Sequence, residues 1–300
     1  MKETGFVVVV EEEKRKLEFK RSSQLRMELR RLRRHKPAMI GLGITLSILV
    51  IVLLAPVIAL RPYAEQNLAR KLERPSWEYP FGTDLVGRCV FSRVVYGSRI
   101  AFLVGLVVVS IEAGIGITLG LFAGYFGGKL DTLISGITDT VWSFPLLVLT
   151  LGIVTVIGPG LFNVVMAIAI VSWAPFARIT RAKVQTVRER EYVEAGRAIG
   201  ESDASLIWRY ILPNVVASNL VLATLTLPSA LLTASAMSFL GFGAQPPSPD
   251  WGAILNEGRV YLRSAPWISM FPGLAILITV LGFNFLGDGL RDAFDPRLKL

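Results

Sequence analysis

The sequence predicts an all-α polytopic membrane protein with six transmembrane helices. Two observations carry that prediction: 52% of its 300 residues are hydrophobic, giving a mean hydropathy of +0.54, and they gather into runs near the roughly 20 residues that cross a bilayer as a helix. A third observation is the placement of charge. The formal net charge is +9, yet Lys and Arg flank the apolar runs instead of forming one face of a soluble domain. Membrane topology accounts for them, and nucleic acid is not an expected partner.

The first element, residues 1–36, reads as a basic cytoplasmic tail. It holds Lys14, Arg15, Lys16, Arg30, Arg31, Arg33, Arg34 and Lys36, with Leu25, Leu29 and Leu32 at helical spacing for a membrane surface or a partner. Residues 37–97 follow as a first transmembrane helix, over 38–60, plus an external linker. The apolar run is too complete for an ordinary cleaved signal peptide, so it is expected to stay as an anchor. Residues 98–290 form the core, with spans expected at 99–123, 131–156, 161–180, 214–240 and 269–288, and 291–300 form a short cytoplasmic tail. Six crossings from a cytoplasmic amino terminus put both termini and the loop 181–213 inside, as expected of a multi-pass protein of the cell membrane. That loop carries Arg181, Lys183, Arg188, Arg190, Arg197 and Arg209, whereas the loops at 157–160 and 243–267 carry only Arg259 and Arg263; the external stretch 61–98 runs against this with Arg61, Arg70, Lys71, Arg74, Arg88 and Arg93, offset by Glu65, Glu73, Glu78 and Asp84.

Within the spans, Gly105, Gly114, Gly116 and Gly120 of the second permit close helix packing. Glu112 is an acid near the middle of the same run, where charge is expensive; it is expected to face a polar interior, a water path or a partner subunit, buried at a helix contact rather than carrying substrate. Phe144-Pro145 in the third span and Trp173-Ala174-Pro175 in the fourth predict kinks, because proline removes a helix hydrogen bond and crowds the preceding turn. Kinked helices line cavities, so Trp142, Phe144, Pro145, Trp173 and Pro175 are the candidates for a translocation path. Gly82-Thr83-Asp84 and Pro246-Pro247-Ser248-Pro249 read as turns. Trp251, Tyr261 and Trp267 read as membrane-interface anchors.

The loop 181–213 is the polar, partner-facing segment. On a helix through 190–201, Arg190, Glu194, Arg197 and Glu201 recur at spacings of three and four and stack opposite charges along one face. The other face presents Tyr192, Ala195, Gly196 and Ile199, where small residues allow a second surface to come close. Gly200 suits a left-handed stop. Ser202 or Asp203 caps a second helix carrying Leu206, Ile207, Trp208 and Ile211, and Pro213 is expected to end it.

Several function classes are excluded. One cysteine, Cys89, and one histidine, His35, build neither an internal disulfide nor a Cys/His metal cluster. The phosphate-binding pattern for ATP is missing: Gly127-Gly128-Lys129 is followed by Leu130, and Ala123 stands where the leading glycine belongs. No nucleophile or carboxylate constellation stands at a catalytic spacing.

The spacing Glu194-Ala195-Gly196, then Gly200, then Leu212-Pro213 resembles the EAA loop of permease subunits in ATP-binding-cassette importers. Gly196 departs from the usual second alanine, and Tyr210 stands where an aliphatic residue is usual. The resemblance extends to Tyr79-Pro80-Phe81-Gly82-Thr83-Asp84, Gly87-Arg88, Ser92-Arg93 and Tyr96-Gly97-Ser98-Arg99. It continues through Gln245-Pro246-Pro247-Ser248-Pro249-Asp250-Trp251-Gly252, Ala265-Pro266-Trp267, Phe271-Pro272-Gly273 and Gly287-Asp288-Gly289-Leu290-Arg291-Asp292. Together these are similar to the second permease (DppC/OppC-like) of dipeptide, oligopeptide and nickel importers, over about residues 37–298. The resemblance implies a type I (MetI-like) permease fold and ATPase coupling through Tyr192, Glu194, Ala195, Gly196, Arg197, Ile199, Gly200, Leu212 and Pro213. It implies as partners a second homologous permease, two ATPase subunits and an extracytoplasmic solute-binding protein. This chain then binds no cofactor, and ATP and Mg belong to the ATPases. The expected cargo is di- or oligopeptide, with oligosaccharides or nickel chelates as the alternative within the class. A secondary transporter is the competing class, and it predicts intramembrane charges along a path or internal repeats, of which the sequence has mainly Glu112, Asp131 and Asp139.

Overall fold

The computed structural model describes residue 33 and residues 35–294; residues 1–32 and 34 of the expected tail, with Leu25, Leu29 and Leu32, and residues 295–300 lie outside the described residues. Regular structure among the described residues is helical, with one antiparallel bridge between Thr83 and Cys89. The helices are α1 (Lys36–Ile58), α2 (Val90–Phe126), α3 (Gly128–Trp142), α4 (Leu146–Ile157), α5 (Leu161–Ser172), α6 (Ala174–Arg188), α7 (Glu191–Ala198), α8 (Asp203–Leu206), α9 (Leu212–Phe239), α10 (Trp251–Gly258) and α11 (Trp267–Phe294). Five stretches are long and apolar enough to cross a membrane, or six if α3 and α4 count as one broken span.

Three expected spans take a different form, each for a reason carried by proline or charge. The third bends by 90° between α3 and α4. Pro145 disfavours helical geometry at the preceding residue and opens α4 with extended backbone, so one crossing becomes two short arms. The fourth continues past 180 to Arg188 because α6 is amphipathic and lays one face on α2. The fifth starts at Asp203, eleven residues early, so Pro213 does not end the helix. Pro213 has no amide hydrogen for the Arg209 carbonyl and its ring crowds it; the backbone widens into a π turn over Ile207–Ile211 and continues as α9.

The tightest contact in the bundle joins α2 to α6. Gly116, Gly120 and Gly124 recur every fourth residue and form a groove that receives the α6 backbone. A methyl group on these glycines would lie 2.6 Å from the Trp173 carbonyl, 2.5 Å from the Ala177 carbonyl and 2.8 Å from the Arg181 carbonyl. Small residues let backbones approach where lipid supplies no hydrophobic drive between helices. Gly114, expected to share this role, faces open space, and Gly105 meets Leu227 only at ordinary contact distance. The same device docks α1 on α11, through Gly41 against the Leu286 amide and Gly282 against Ile44.

Three buried apolar clusters order the molecule along its length. A central one joins Val108, Ile168, Phe176 and Met237 of α2, α5, α6 and α9. At the α10 end, Val90, Trp251, Ile254, Trp267 and Ile268 pack together. At the α7 end, Tyr125, Val184, Val187, Val193, Leu206, Ile211 and Val215 do so. Trp251 and Trp267 are therefore internal rather than membrane-interface anchors. Their indole N–H groups donate to the carbonyls of Val94 (2.8 Å) and Thr83 (3.1 Å), an arrangement available because each ring is packed among helices of the same chain.

Candidate functional site

Residues 181–213 build a projecting helical corner. α7 is anchored by a single apolar side chain: Val193 is fully buried among Val187, Leu206 and Ile211. The opposite side of α7 is open, and Tyr192, Glu194, Ala195, Arg197 and Ile199 are all exposed, Ile199 to 79%. Gly196 faces inward, contrary to its expected place beside Ala195. A methyl group there would sit 2.9 Å from Leu206, so its smallness serves packing within this chain. Gly200 ends the corner with φ +84°, a backbone that side-chain-bearing residues rarely adopt.

The charged ladder expected on a helix through 190–201 does not form. α7 stops at Ala198; Arg190 is the residue before it and Glu201 lies beyond the Gly200 turn, so the four side chains do not share one helical face. Glu201 instead accepts from Ser205 Oγ (2.7 Å) and Tyr210 Oη (2.8 Å), and these hydrogen bonds hold its carboxyl below the usual glutamate range. The Arg197 guanidinium lies 5.9 Å above the Tyr125 ring. The corner is also tied to the end of α2. Tyr125 Oη donates to Asp203 at 2.5 Å, and Arg188 Nη1 donates to the Gly124 carbonyl at 3.0 Å and the Tyr125 carbonyl at 3.3 Å. Leu212 and Pro213 lie at the start of α9, after the π turn, while Trp208 is 69% exposed beside the corner.

Of the path candidates, Trp142, Phe144 and Pro175 come together around a cleft of 130 Å³ that the α3–α4 bend opens. Pro145 sets the bend, and Trp173 is buried with its carbonyl against Gly116, so neither lines the cleft. The wall also contains Glu112, Ser172, Thr226 and Ser229. Glu112 is buried, as its cost in lipid requires, but it borders a cavity rather than a closed helix contact. Nearer the α7 end, α3 and α6 are joined by paired charges: Asp131 with Arg181, and Asp139 with Arg178 at 2.6 Å. Arg178 also lies 4.1 Å above the Trp142 ring.

At the α10 end sits an ion network that sequence reasoning missed. Asp84 and Arg93 are fully buried, and Asp84 accepts from Arg88 Nε and Arg93 Nη1, both at 2.6 Å. Glu257 of α10 closes the network from across the chain, accepting from Arg88 at 2.8 Å and from Arg93 at 2.6 and 3.0 Å. Asp84, Arg88 and Arg93 lie within ten residues, Asp84 in the expected Gly82-Thr83-Asp84 turn; nothing in local spacing points to Glu257. Cys89 stands within this segment, buried, as the residue preceding α2.

Comparison with known proteins follows this geometry. The model of a family described as binding-protein-dependent transport system inner membrane component matches residues 116–300. A second, the N-terminal TM domain of oligopeptide transport permease C, matches residues 23–75. The chain is 45% identical over 277 residues to the dipeptide transport system permease protein DppC of Alkalihalophilus pseudofirmus, covering 92% of this chain and 91% of that one. It is 44% identical over 243 residues to the glutathione transport system permease protein GsiD of Pectobacterium atrosepticum, covering 80% and 81%. Among solved structures, the inward-facing MetNI methionine ABC transporter aligns with a TM-score of 0.55 at 20% identity, over 68% of this chain and 98% of that one, a likeness of fold.

Proposed function

Because the chain belongs to the family of binding-protein-dependent transport system inner membrane components and is a permease subunit, not a catalytic one, we propose that it carries small peptides inward as one half of a permease pair. Two ATPase subunits holding ATP and Mg sit against the α7 corner, and a solute-binding protein delivers cargo at the α10 end. That arrangement puts the α7 end in the cytoplasm and the α10 end outside; loop 181–213 is basic, the loops at 157–160 and 243–267 carry only Arg259 and Arg263, and three arginines of the external linker, Arg61, Arg70 and Arg88, are paired with Glu78, Asp84 and Glu257. The names of the relatives, dipeptide and glutathione permeases, favour short peptides over oligosaccharides or nickel chelates.

The observation that carries this reading is the α7 corner: a short helix held by one buried valine, with its outer face unpartnered. In this mechanism Tyr192, Glu194, Ala195, Arg197 and Ile199 meet the ATPase. Gly196 seats the helix on Leu206, Gly200 makes the turn, and Leu212-Pro213 joins the corner to α9. Closure of the ATPases on ATP pushes α7, and because α7 is tied to α2 and α9 the spans tilt between inward-open and outward-open states.

The test is a detergent pull-down of the chain expressed with its neighbouring genes, followed by uptake and ATPase assays. ATPases and a second permease should copurify with the wild type. Gly200→Arg forces a side chain onto a φ of +84°, a strain of about 1–2 kcal/mol, and should uncouple hydrolysis from uptake. A chain that purifies alone and moves solute without ATP would overturn the reading.

A further inference from the structure

We propose that the cleft around Glu112 receives the α-ammonium group of the transported peptide, with the Glu112 carboxylate as its counter-ion and the hydroxyls of Ser172, Thr226 and Ser229 as further acceptors. The proposal rests on the peptide reading above.

The chemistry of the wall selects a cation. Glu112 is 2% exposed and lies near the middle of a 37-residue helix, and none of the ion pairs among the described residues includes it. A lone carboxylate in such surroundings is costly: it holds a proton while the cleft is empty and gives it up when a positive group meets it. The cation that reaches the wall through Trp142 is spoken for: Arg178 rests on that ring and pairs with Asp139. Besides Glu112 and the indole of Trp142, the polar side chains of the wall are hydroxyls. Thr226 and Ser229 donate their hydrogens to the carbonyls of Ala223 and Thr226, which leaves their oxygens facing other groups as acceptors. The Ser172 hydroxyl faces Glu112 and can donate to it while its oxygen accepts from a ligand. A carboxylate with three hydroxyl oxygens around it suits an ammonium, which donates three hydrogen bonds and accepts none.

Size and position agree with this assignment. A volume of 130 Å³ has room for about four waters, enough for one end of a peptide. The rest of the wall is apolar, from Val141, Phe144, Leu146, Val171, Pro175 and Ala230, and suits a side chain beside the ammonium. The two arms of the broken span meet at this point, so a change in the angle between α3 and α4 alters access to the carboxylate.

The test uses the whole importer in proteoliposomes with its binding protein and two probes: a dipeptide, and its desamino analogue in which hydrogen replaces the α-ammonium. Glu112→Gln keeps shape and removes charge. It should lower dipeptide uptake about tenfold or more, the effect of losing a charged hydrogen bond, and leave analogue uptake unchanged. The same binding protein serves every combination, so its own preference cancels in the ratio of ratios. Ser172→Ala should act in the same direction and less. An equal fall for both probes, or unchanged dipeptide uptake, overturns the proposal. So does loss of the second permease from the Glu112→Gln complex, which would make Glu112 a subunit contact. If the wild-type complex copurifies with ATPases and moves no peptide, the peptide reading fails first and this site fails with it.

Discussion

Arg93→Met should unlatch the segment before α2 from α10. In the wild type, Arg93 is fully buried and gives three hydrogen bonds, one to Asp84 and two to Glu257. Met fills much of the volume but leaves two carboxylates sharing Arg88. Breaking a buried ion pair in this way costs about 3–5 kcal/mol, and the lower figure applies because Arg88 still contacts both acids and Glu257 keeps some solvent access. About 3 kcal/mol is roughly a hundredfold rise in the population of the open segment. The amides of Asp84 and Val90 report it, because they bond to Arg88 and Gly82 carbonyls within the same turn and must lose those bonds when it lifts. Hydrogen exchange by mass spectrometry should therefore speed up about a hundredfold over 79–93, with peptides from the α2–α6 contact unaffected. Adding Glu257→Gln should recover part of the loss, since one uncompensated charge is gone. Unchanged exchange over 79–93 in Arg93→Met, or a double variant that loses the sum of the single losses, would refute the argument.

Two further predictions concern packing and charge. Gly120→Ala sets a methyl group 2.5 Å from the Ala177 carbonyl and should destabilise the chain by about 1–3 kcal/mol, seen as a lower Tm and less assembled complex; Gly114→Ala, facing open space, should change neither. Glu78 pairs with Arg61 at 2.7 Å and with Arg70, and its hydrogen bond with Arg70 holds its carboxyl below the usual glutamate range. The sign follows from linkage: a depressed folded-state pKa contributes stability above the unfolded pKa, lost as pH falls through the folded one. The Tm gap between wild type and Glu78→Gln should thus be constant near neutrality and close as pH drops below the carboxylate range; a gap independent of pH would contradict it.

Helix count, the broken third span and the polar corner were legible because each is written locally. An apolar run, a proline at 145 and a glycine at 200 act within a few residues of themselves. What was not legible depended on contacts between distant parts of the chain. Gly114 and Gly116 are equivalent as residues, and only the packing of α6 decides that Gly116 carries the contact and Gly114 does not. Trp251 and Trp267 have the amphipathic character of interface anchors, yet the carbonyls that satisfy them belong to Val94 and Thr83, more than 150 residues away in sequence. Glu257 escaped for the same reason. Pro213 misled because a proline ends a helix only when the backbone cannot widen around it, and here a π turn does so.

These long-range contacts constrain how a push on α7 can travel. α2 is a single 37-residue helix, about 56 Å long at 1.5 Å per residue. One end is fixed by the Asp84, Arg88, Arg93 and Glu257 network and the other by Tyr125 and Arg188 to the α7 corner. Backbone contact with α6 along Gly116, Gly120 and Gly124 leaves little room for sliding, since interfaces packed this closely do not deform continuously. α2 and α6 therefore move together as one rigid body. The compliant places lie elsewhere: the 90° break between α3 and α4, the π turn at Ile207–Ile211, and the left-handed Gly200. The cleft with Glu112 lies between that rigid pair and the broken span, so relative motion of the two changes its width first.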